Sequence, residues 1–265
     1  MLSRPIPSHV AFSMSACLVI GAALSATAAP VERYEGIAYP RDGSVVLYRE
    51  THWLYRDGGI DRHLVLYRCP DGVPFARKLL SESSSAPAAP DFDFYDARLA
   101  YREGVSGDGA RRIAYAQGRD DAVVKQRELE LGVDVVVDAG FDDYLRSHWD
   151  MVSPQSSLRA AIVVPSKLAT LPVLITEPNN GDAKVRNLRV ELDAWYRLLA
   201  PSMTLRYRRA DHSLLEFQGI GTIRGLDGRN LDVRIAFPPE LRDISVDPKD
   251  PGAAAQLTLS GRCRT

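Results

Sequence analysis

The fold of this 265-residue chain is decided by the stretch Val133-Asp-Val-Val-Val-Asp-Ala-Gly-Phe-Asp-Asp-Tyr-Leu-Arg-Ser-His-Trp-Asp-Met-Val152. In its first part valine recurs at every second position, which is typical of a strand with one buried face. From Phe141 the apolar residues recur three and four positions apart, which predicts an amphipathic helix over residues 141–152. Asp142 and Asp143 lie in the first turn, where exposed N–H groups favour carboxylates, and Pro154 ends the helix.

The sequence on both sides of this helix has the pattern of antiparallel strands. Turn signals such as Gly58-Gly59 recur at short intervals and supply the positive φ of tight hairpins. Between the turns, apolar and polar residues alternate. A bend is expected at Gly132, and a short helical turn at residues 194–199. The predicted strands cover residues 33–39, 45–56, 63–69, 75–80, 92–102, 111–117, 123–137, 157–164, 171–177, 185–193, 203–208, 214–224, 231–237 and 257–259.

The predicted fold class is mainly β (α+β), with a curved antiparallel meander sheet or half-barrel packed around one central amphipathic helix. A flat sheet of so many strands would curl or close. The helix also needs a surface on which to bury its apolar stripe. A sandwich of two sheets is the alternative architecture.

Residues 1–28 have the pattern of a secretory signal peptide. Arg4 precedes an apolar run shorter than the ~20 residues of a spanning helix, and Ala26-Thr-Ala28 matches the small-residue cleavage pattern. We expect Ala29 as the mature N-terminus, and a lipoprotein signal ending at Cys17 is the alternative. Residues 29–265 are predicted to form a single β-rich domain in the periplasm, with no further transmembrane segment.

Charge and cysteine content restrict the partners and the compartment. A formal net charge of −1 provides no basic surface for nucleic acid. The sequence does not show whether the protein is a monomer or an oligomer. Export leaves Cys69 and Cys263 in an oxidising compartment, so we predict a disulfide between them. The alternative is a buried, unpaired Cys69 and an exposed Cys263.

Three segments resemble a group of uncharacterised secreted bacterial β-rich proteins. They are Leu66-Tyr-Arg-Cys-Pro-Asp-Gly72, Ala139-Gly-Phe-Asp-Asp143 and Gly228-Arg-Asn-Leu-Asp-Val-Arg-Ile-Ala-Phe237. This resemblance implies no particular activity. The order of hairpins, helix and further hairpins is also similar to the lipoprotein-carrier (LolA-like) fold, which implies an incomplete barrel with helices in its mouth. The chain departs from that pattern in having only one strong helix.

Candidate site residues come from two His-Trp dipeptides. Trp53, in a strand, and Tyr144, His148 and Trp149, on the helix, are predicted to line a polar and aromatic ligand pocket. The alternative is that the tryptophans are core residues, and Trp149 in particular is predicted to be buried. No local catalytic motif occurs, and the histidines do not fall at metal-ligand spacing. No metal, cofactor or catalytic residue is therefore predicted.

These observations favour a non-enzymatic periplasmic binding module that shelters an apolar or amphipathic ligand, such as a lipid, between the sheet and the helix. Two alternatives remain open. One is a structural or protein-interaction domain of the cell envelope. The other is a hydrolase that combines His148 with an acidic residue and a serine brought together in space.

Overall fold

The computed structural model describes residues 30–82, 86–107, 109–179, 182–194 and 201–263. The predicted signal peptide of residues 1–28, with Cys17 and the cleavage site before Ala29, lies outside the described residues. So does most of the helical turn predicted at residues 194–199.

The described residues form one curved antiparallel sheet of sixteen strands that does not close. The chain runs back and forth from β1 to β8 toward one edge, and then from β9 to β15 back to β1, which it joins through β15. β16 also pairs with β1, and the short contact of β9 with β10 is parallel. The strands are β1 Val31–Pro40, β2 Tyr48–Asp57, β3 Ile60–Arg68, β4 Pro74–Glu82, β5 Asp91–Asp96, β6 Tyr101–Ser106, β7 Arg111–Gln117, β8 Lys125–Glu130, β9 Val135–Val136, β10 Leu158–Val164, β11 Ala169–Thr176, β12 Val185–Leu192, β13 Met203–Arg208, β14 Leu214–Arg224, β15 Asn230–Ala236 and β16 Arg242–Val246.

The central helix, α1, covers Gly140–Ser147. The fold class predicted from the sequence is confirmed, and the two-sheet sandwich is not formed. The helix is shorter than the predicted residues 141–152, because a 3-10 turn at Trp149–Met151 replaces its last turn. The guanidinium of Arg186, on β12, donates hydrogen bonds to the carbonyls of Trp149 and Val152. These long-range bonds take the place of further helical bonds.

Other differences from the prediction lie in two regions. The predicted strand 92–102 is a hairpin of β5 and β6, because Asp96 accepts hydrogen bonds from the backbone and side chain of Arg98 and the chain turns there. The predicted strand 123–137 is divided into β8 and β9 around Gly132. No strand forms at residues 257–259, which follow β16 and a second helix, α2, at Asp250–Ala255. Further 3-10 turns lie at Pro165–Lys167 and Pro239–Leu241.

The buried side chains of the described residues form three clusters. The largest lies on the inner face of β1–β6, β14 and β15, with Tyr48, Phe75 and Phe94 at its centre. The second packs α1 against β10–β13. The third, around Trp53, joins the other face of β2 and β3 to α2. The first two clusters face the same space beneath α1, which is where the site lies.

Cys69 and Cys263 form a disulfide, as predicted, with their Cα atoms 5.8 Å apart. The bond ties the end of β3 to the last described residue and is compatible with an oxidising compartment. Within the described ranges, no helix has the length and apolar character that spanning a bilayer requires.

Candidate functional site

A cavity of about 730 Å³ lies between the curved sheet and the N-terminal half of α1. Its volume falls in the ~300–1,000 Å³ range of sites that hold small molecules. Side chains from β1–β4, β10, β13–β15 and α1 line it. Its apolar wall consists of Leu54, Phe141, Ile162, Met203, Leu205, Leu214, Phe217, Ile220, Ile235 and Phe237.

The cavity is also lined by a hydrogen-bonded series of buried polar side chains from β2 and β3. His52 Nε2 lies 3.0 Å from Glu50 Oε2, and His52 Nδ1 lies 2.9 Å from His63 Nε2. Tyr34, on β1, stacks on His52 with ring centroids 4.4 Å apart. Alternate residues of a strand point to the same face, so Glu50 and His52 reach the cavity together.

A buried ion pair lies beside this series. Lys78 Nζ, on β4, donates to Asp138 Oδ1 at 2.7 Å. Asp138 has a φ of 47° and its carboxylate also accepts from the backbone N–H of Ala139, just before α1. The pair therefore fixes the start of α1 over the polar end of the cavity.

Burial shifts the pKa values of Glu50, His52 and His63. Desolvation raises the pKa of Glu50 to about 7, opposed by the nearby Lys78. Desolvation also lowers the pKa of His52 to about 3, and the pKa of His63 falls well below its ordinary value for the same reason. At neutral pH both imidazoles are uncharged, and Glu50 changes its charge close to that pH.

Carboxyl groups outnumber lysine and arginine side chains in the described lining of the cavity. Three of these, Glu50, Glu82 and Asp143, are not paired with a lysine or arginine in the part of the chain that the structure describes. Burial raises the pKa of Glu82 to about 7 and that of Asp143 to about 6, and neighbouring carboxylates add to both shifts. The other lining carboxylates form the pairs Lys78–Asp138, Arg146–Asp142, Arg242–Glu32 and Arg56–Asp61.

The structure does not bring the four predicted site residues together, and none of them lines this cavity. Trp53 lies on the opposite face of the sheet, packed with Leu64, Leu66 and Ala254. Neighbours along a strand point to opposite faces, so only the histidine of the His52-Trp53 dipeptide reaches the cavity. Alternation along β2 was the signal that could have identified Glu50 and His52.

The helical members of the predicted pocket lie elsewhere. Tyr144 is buried and donates its hydroxyl to the backbone carbonyl of Arg159 at 2.8 Å. Tyr144 and His148 line a second cleft, of about 850 Å³, formed mostly by loop residues. Trp149 is half-buried and stacks on His212, with ring centroids 3.9 Å apart. Of these two cavities, we take the first as the candidate site because its described lining joins apolar side chains to the buried polar residues Glu50, His52 and His63.

Fold and site together define a protein with an open, curved β-sheet around an amphipathic cavity. No protein-family model matches the chain, and no curated protein matches it. Among solved structures the chain is similar to a DUF1329 family protein from Desulfovibrio piger. The two are 13% identical, the match covers 88% of this chain and 93% of the other, and the TM-score is 0.32.

Proposed function

We propose that the protein is a non-enzymatic periplasmic module that binds an amphipathic ligand, such as a lipid, in the cavity beneath α1. The observation that carries the proposal is the cavity itself. A filled interior would have favoured a purely structural domain, whereas about 730 Å³ is open to a ligand. The disulfide between Cys69 and Cys263 is compatible with an oxidising compartment and so supports the periplasmic part of the proposal.

The lining matches the two parts of such a ligand. Met203, Leu205, Phe217 and Ile220 offer apolar surface to an alkyl chain. Each methylene transferred from water to such surface contributes about 0.8 kcal/mol. The buried polar side chains around His52 offer hydrogen bonds to a head group.

The hydrolase alternative receives no comparable support. The ring of His148 contacts Ser147 Oγ at 3.0 Å and the carbonyl of Tyr144 at 2.9 Å. Its recorded contacts among the described residues include no carboxylate. Acid, base and nucleophile are not assembled there as a hydrolase would require.

Ligand binding can be tested in two stages on the full chain exported to its own periplasm. Native mass spectrometry of the purified protein should reveal a co-purifying lipid. Displacement of a fluorescent fatty probe by straight-chain alcohols should then show affinity rising about fourfold for each added methylene. The rise should stop when the alkyl chain outgrows the cavity.

A matched pair of variants locates the binding site. Ile220 lines the cavity and is 40% exposed, while Ile113, on β7, is 42% exposed and lies outside it. Ile220→Trp should narrow the cavity and weaken binding of the longer alcohols, whereas Ile113→Trp should leave their affinity unchanged. A protein that carries no lipid and binds none of the alcohols would overturn the proposal.

A further inference from the structure

The hydrogen bonds from Glu50 through His52 to His63 have a direction. A neutral imidazole carries one N–H donor and one acceptor nitrogen. His52 uses both of its ring nitrogens, on Glu50 Oε2 and on His63 Nε2. The two bonds must therefore point the same way, and the proton on one ring fixes the proton on the next.

Ionised Glu50 allows only one direction. Its carboxylate can only accept, so His52 carries its proton on Nε2 and accepts at Nδ1 from His63 Nε2–H. His63 is then left with a lone pair on Nδ1. That nitrogen has no recorded hydrogen-bond partner within the described ranges, and His63 lines the cavity.

We infer that His63 Nδ1 is the point at which the cavity recognises the ligand's head group, and that with Glu50 ionised it selects a hydrogen-bond donor such as a hydroxyl. This inference rests on the proposed function and adds the chemical class of the head group. A ligand that covers this nitrogen and offers only an acceptor shuts it off from water without a hydrogen bond, which is unfavourable.

Protonation of Glu50 removes the restriction. One proton taken up on Glu50 Oε2 lets His52 move its proton from Nε2 to Nδ1, and His63 do the same. The three groups together take up one proton, and His63 Nδ1 can then donate a hydrogen bond to an acceptor. The pKa of Glu50, about 7, puts this change near neutral pH.

Other groups that face Glu50 and the two rings do not replace it in this role. Lys78 and Asp138 are paired with each other at 2.7 Å, and Arg242, on β16, is paired with Glu32 at 3.2 Å. The surrounding tyrosines stay protonated because burial raises the pKa of each one. They are Tyr34 on β1, Tyr48 on β2 and Tyr67 on β3.

Two probes that do not titrate test the inference: dodecyl alcohol, which donates, and dodecyl methyl ether, which only accepts. At about pH 8.5 the alcohol should bind about tenfold more tightly than the ether. The ratio of the two affinities should fall toward one at about pH 5.5, where Glu50 is protonated. Since neither probe changes charge, any pH dependence of the ratio comes from the protein.

Two variants assign that dependence to one carboxyl group. Glu50→Gln should give a ratio independent of pH, while Glu82→Gln, at another carboxyl group that titrates close to pH 7, should retain the dependence. If Glu50→Gln does not fold, ¹⁵N imidazole shifts of the wild-type protein should show His63 protonated on Nε2 at about pH 8.5. A shift pattern with the proton on Nδ1 would overturn the inference.

Equal, pH-independent affinities for both probes would overturn the inference but leave the proposed function in place. So would a pH dependence that survives Glu50→Gln or disappears in Glu82→Gln. Failure of both probes to bind at any pH would overturn the two proposals together.

Discussion

Cys69 and Cys263 lie 194 residues apart in the sequence, yet their Cα atoms are 5.8 Å apart and their sulfurs are bonded. Closing so long a loop removes much of the entropy of the unfolded chain, roughly 5 kcal/mol in the chain-entropy model, although measured values are often 2–4 kcal/mol. We expect Cys69→Ser to lower the free energy of unfolding by about 2–5 kcal/mol, measured by urea denaturation without reductant.

The double variant Cys69→Ser/Cys263→Ser controls this experiment. Its stability should match that of the single variant and should not change when dithiothreitol is added, whereas the wild-type protein should lose stability. Two thiols that react with a blocking reagent in the denatured, unreduced wild-type protein would contradict the assignment.

Glu50→Gln should stabilise the protein at alkaline pH. The folded state holds a proton on Glu50 up to about pH 7, while in the unfolded state the group ionises near its ordinary value of 4.5. Between these values the folded state binds more protons, so the free energy of unfolding falls as pH rises. Glutamine avoids this loss, worth roughly 3 kcal/mol above about pH 8 and close to nothing near pH 4. Denaturation midpoints across that range measure it.

Glu82→Gln should show a smaller gain, because Glu82 is partly exposed and solvent screens its charge. Histidine gives the opposite slope on the acid side. The pKa of His52 is lowered by burial to about 3. As pH falls below about 6.5, the unfolded state therefore binds an extra proton and the free energy of unfolding decreases. A wild-type stability that rises steadily from about pH 6 to pH 9 would contradict the raised pKa assigned to Glu50.

Regular alternation and strong turn signals made most of the sheet predictable. Asp71-Gly72, for example, marks the hairpin between β3 and β4, whose predicted limits lie within three residues of the observed ones. One strand boundary failed at a turn that lacks glycine, proline and asparagine. The turn after Asp96 is held instead by the Asp96 carboxylate, which accepts hydrogen bonds from the backbone N–H and the guanidinium of Arg98.

The site was less predictable than the sheet. Treating His52-Trp53 as one unit placed both side chains in a pocket, although strand geometry separates them onto two faces. Charged and polar residues at alternate positions, such as Glu50, are typical of a solvent-exposed face. Here the curvature of the sheet encloses that face beneath α1. Curvature and long-range contacts such as Lys78–Asp138 depend on the whole fold, so local sequence does not indicate them.

Arg186 should be among the most sensitive charged positions. Its side chain is 4% exposed, lies 2.8 Å from the buried carboxylate of Glu177, and holds the carbonyls of Trp149 and Val152. Arg186→Ala leaves Glu177 buried, with Arg209 as its one remaining ion-pair partner among the described residues. We expect a loss of about 3–5 kcal/mol in the free energy of unfolding.

Arg159→Ala is the matched control, because Arg159 forms its ion pair with Asp193 on the surface. Exposed pairs of this kind contribute about 0–1 kcal/mol. Equal effects of the two substitutions would show that the Arg186 contacts do not hold the segment after α1.

Trp149 separates a packing role from a ligand-binding role. Its ring stacks on His212, meets Tyr207 edge-on at 5.7 Å and lies under the guanidinium of Arg186 at 4.4 Å. The side chain is only half-buried, so Trp149→Ala should cost about 2–3 kcal/mol, below the ~3–5 kcal/mol typical of a fully buried tryptophan.

Because Trp149 does not line the cavity, Trp149→Ala should retain the wild-type affinity for dodecyl alcohol at a temperature where the variant is fully folded. Ile220→Trp, measured beside it, should show the reverse: wild-type stability within about 1 kcal/mol and weakened binding. If Trp149→Ala abolishes binding while circular dichroism shows an intact fold, the ligand is held around the helical tryptophan, as the sequence first indicated, and the site beneath α1 is wrong.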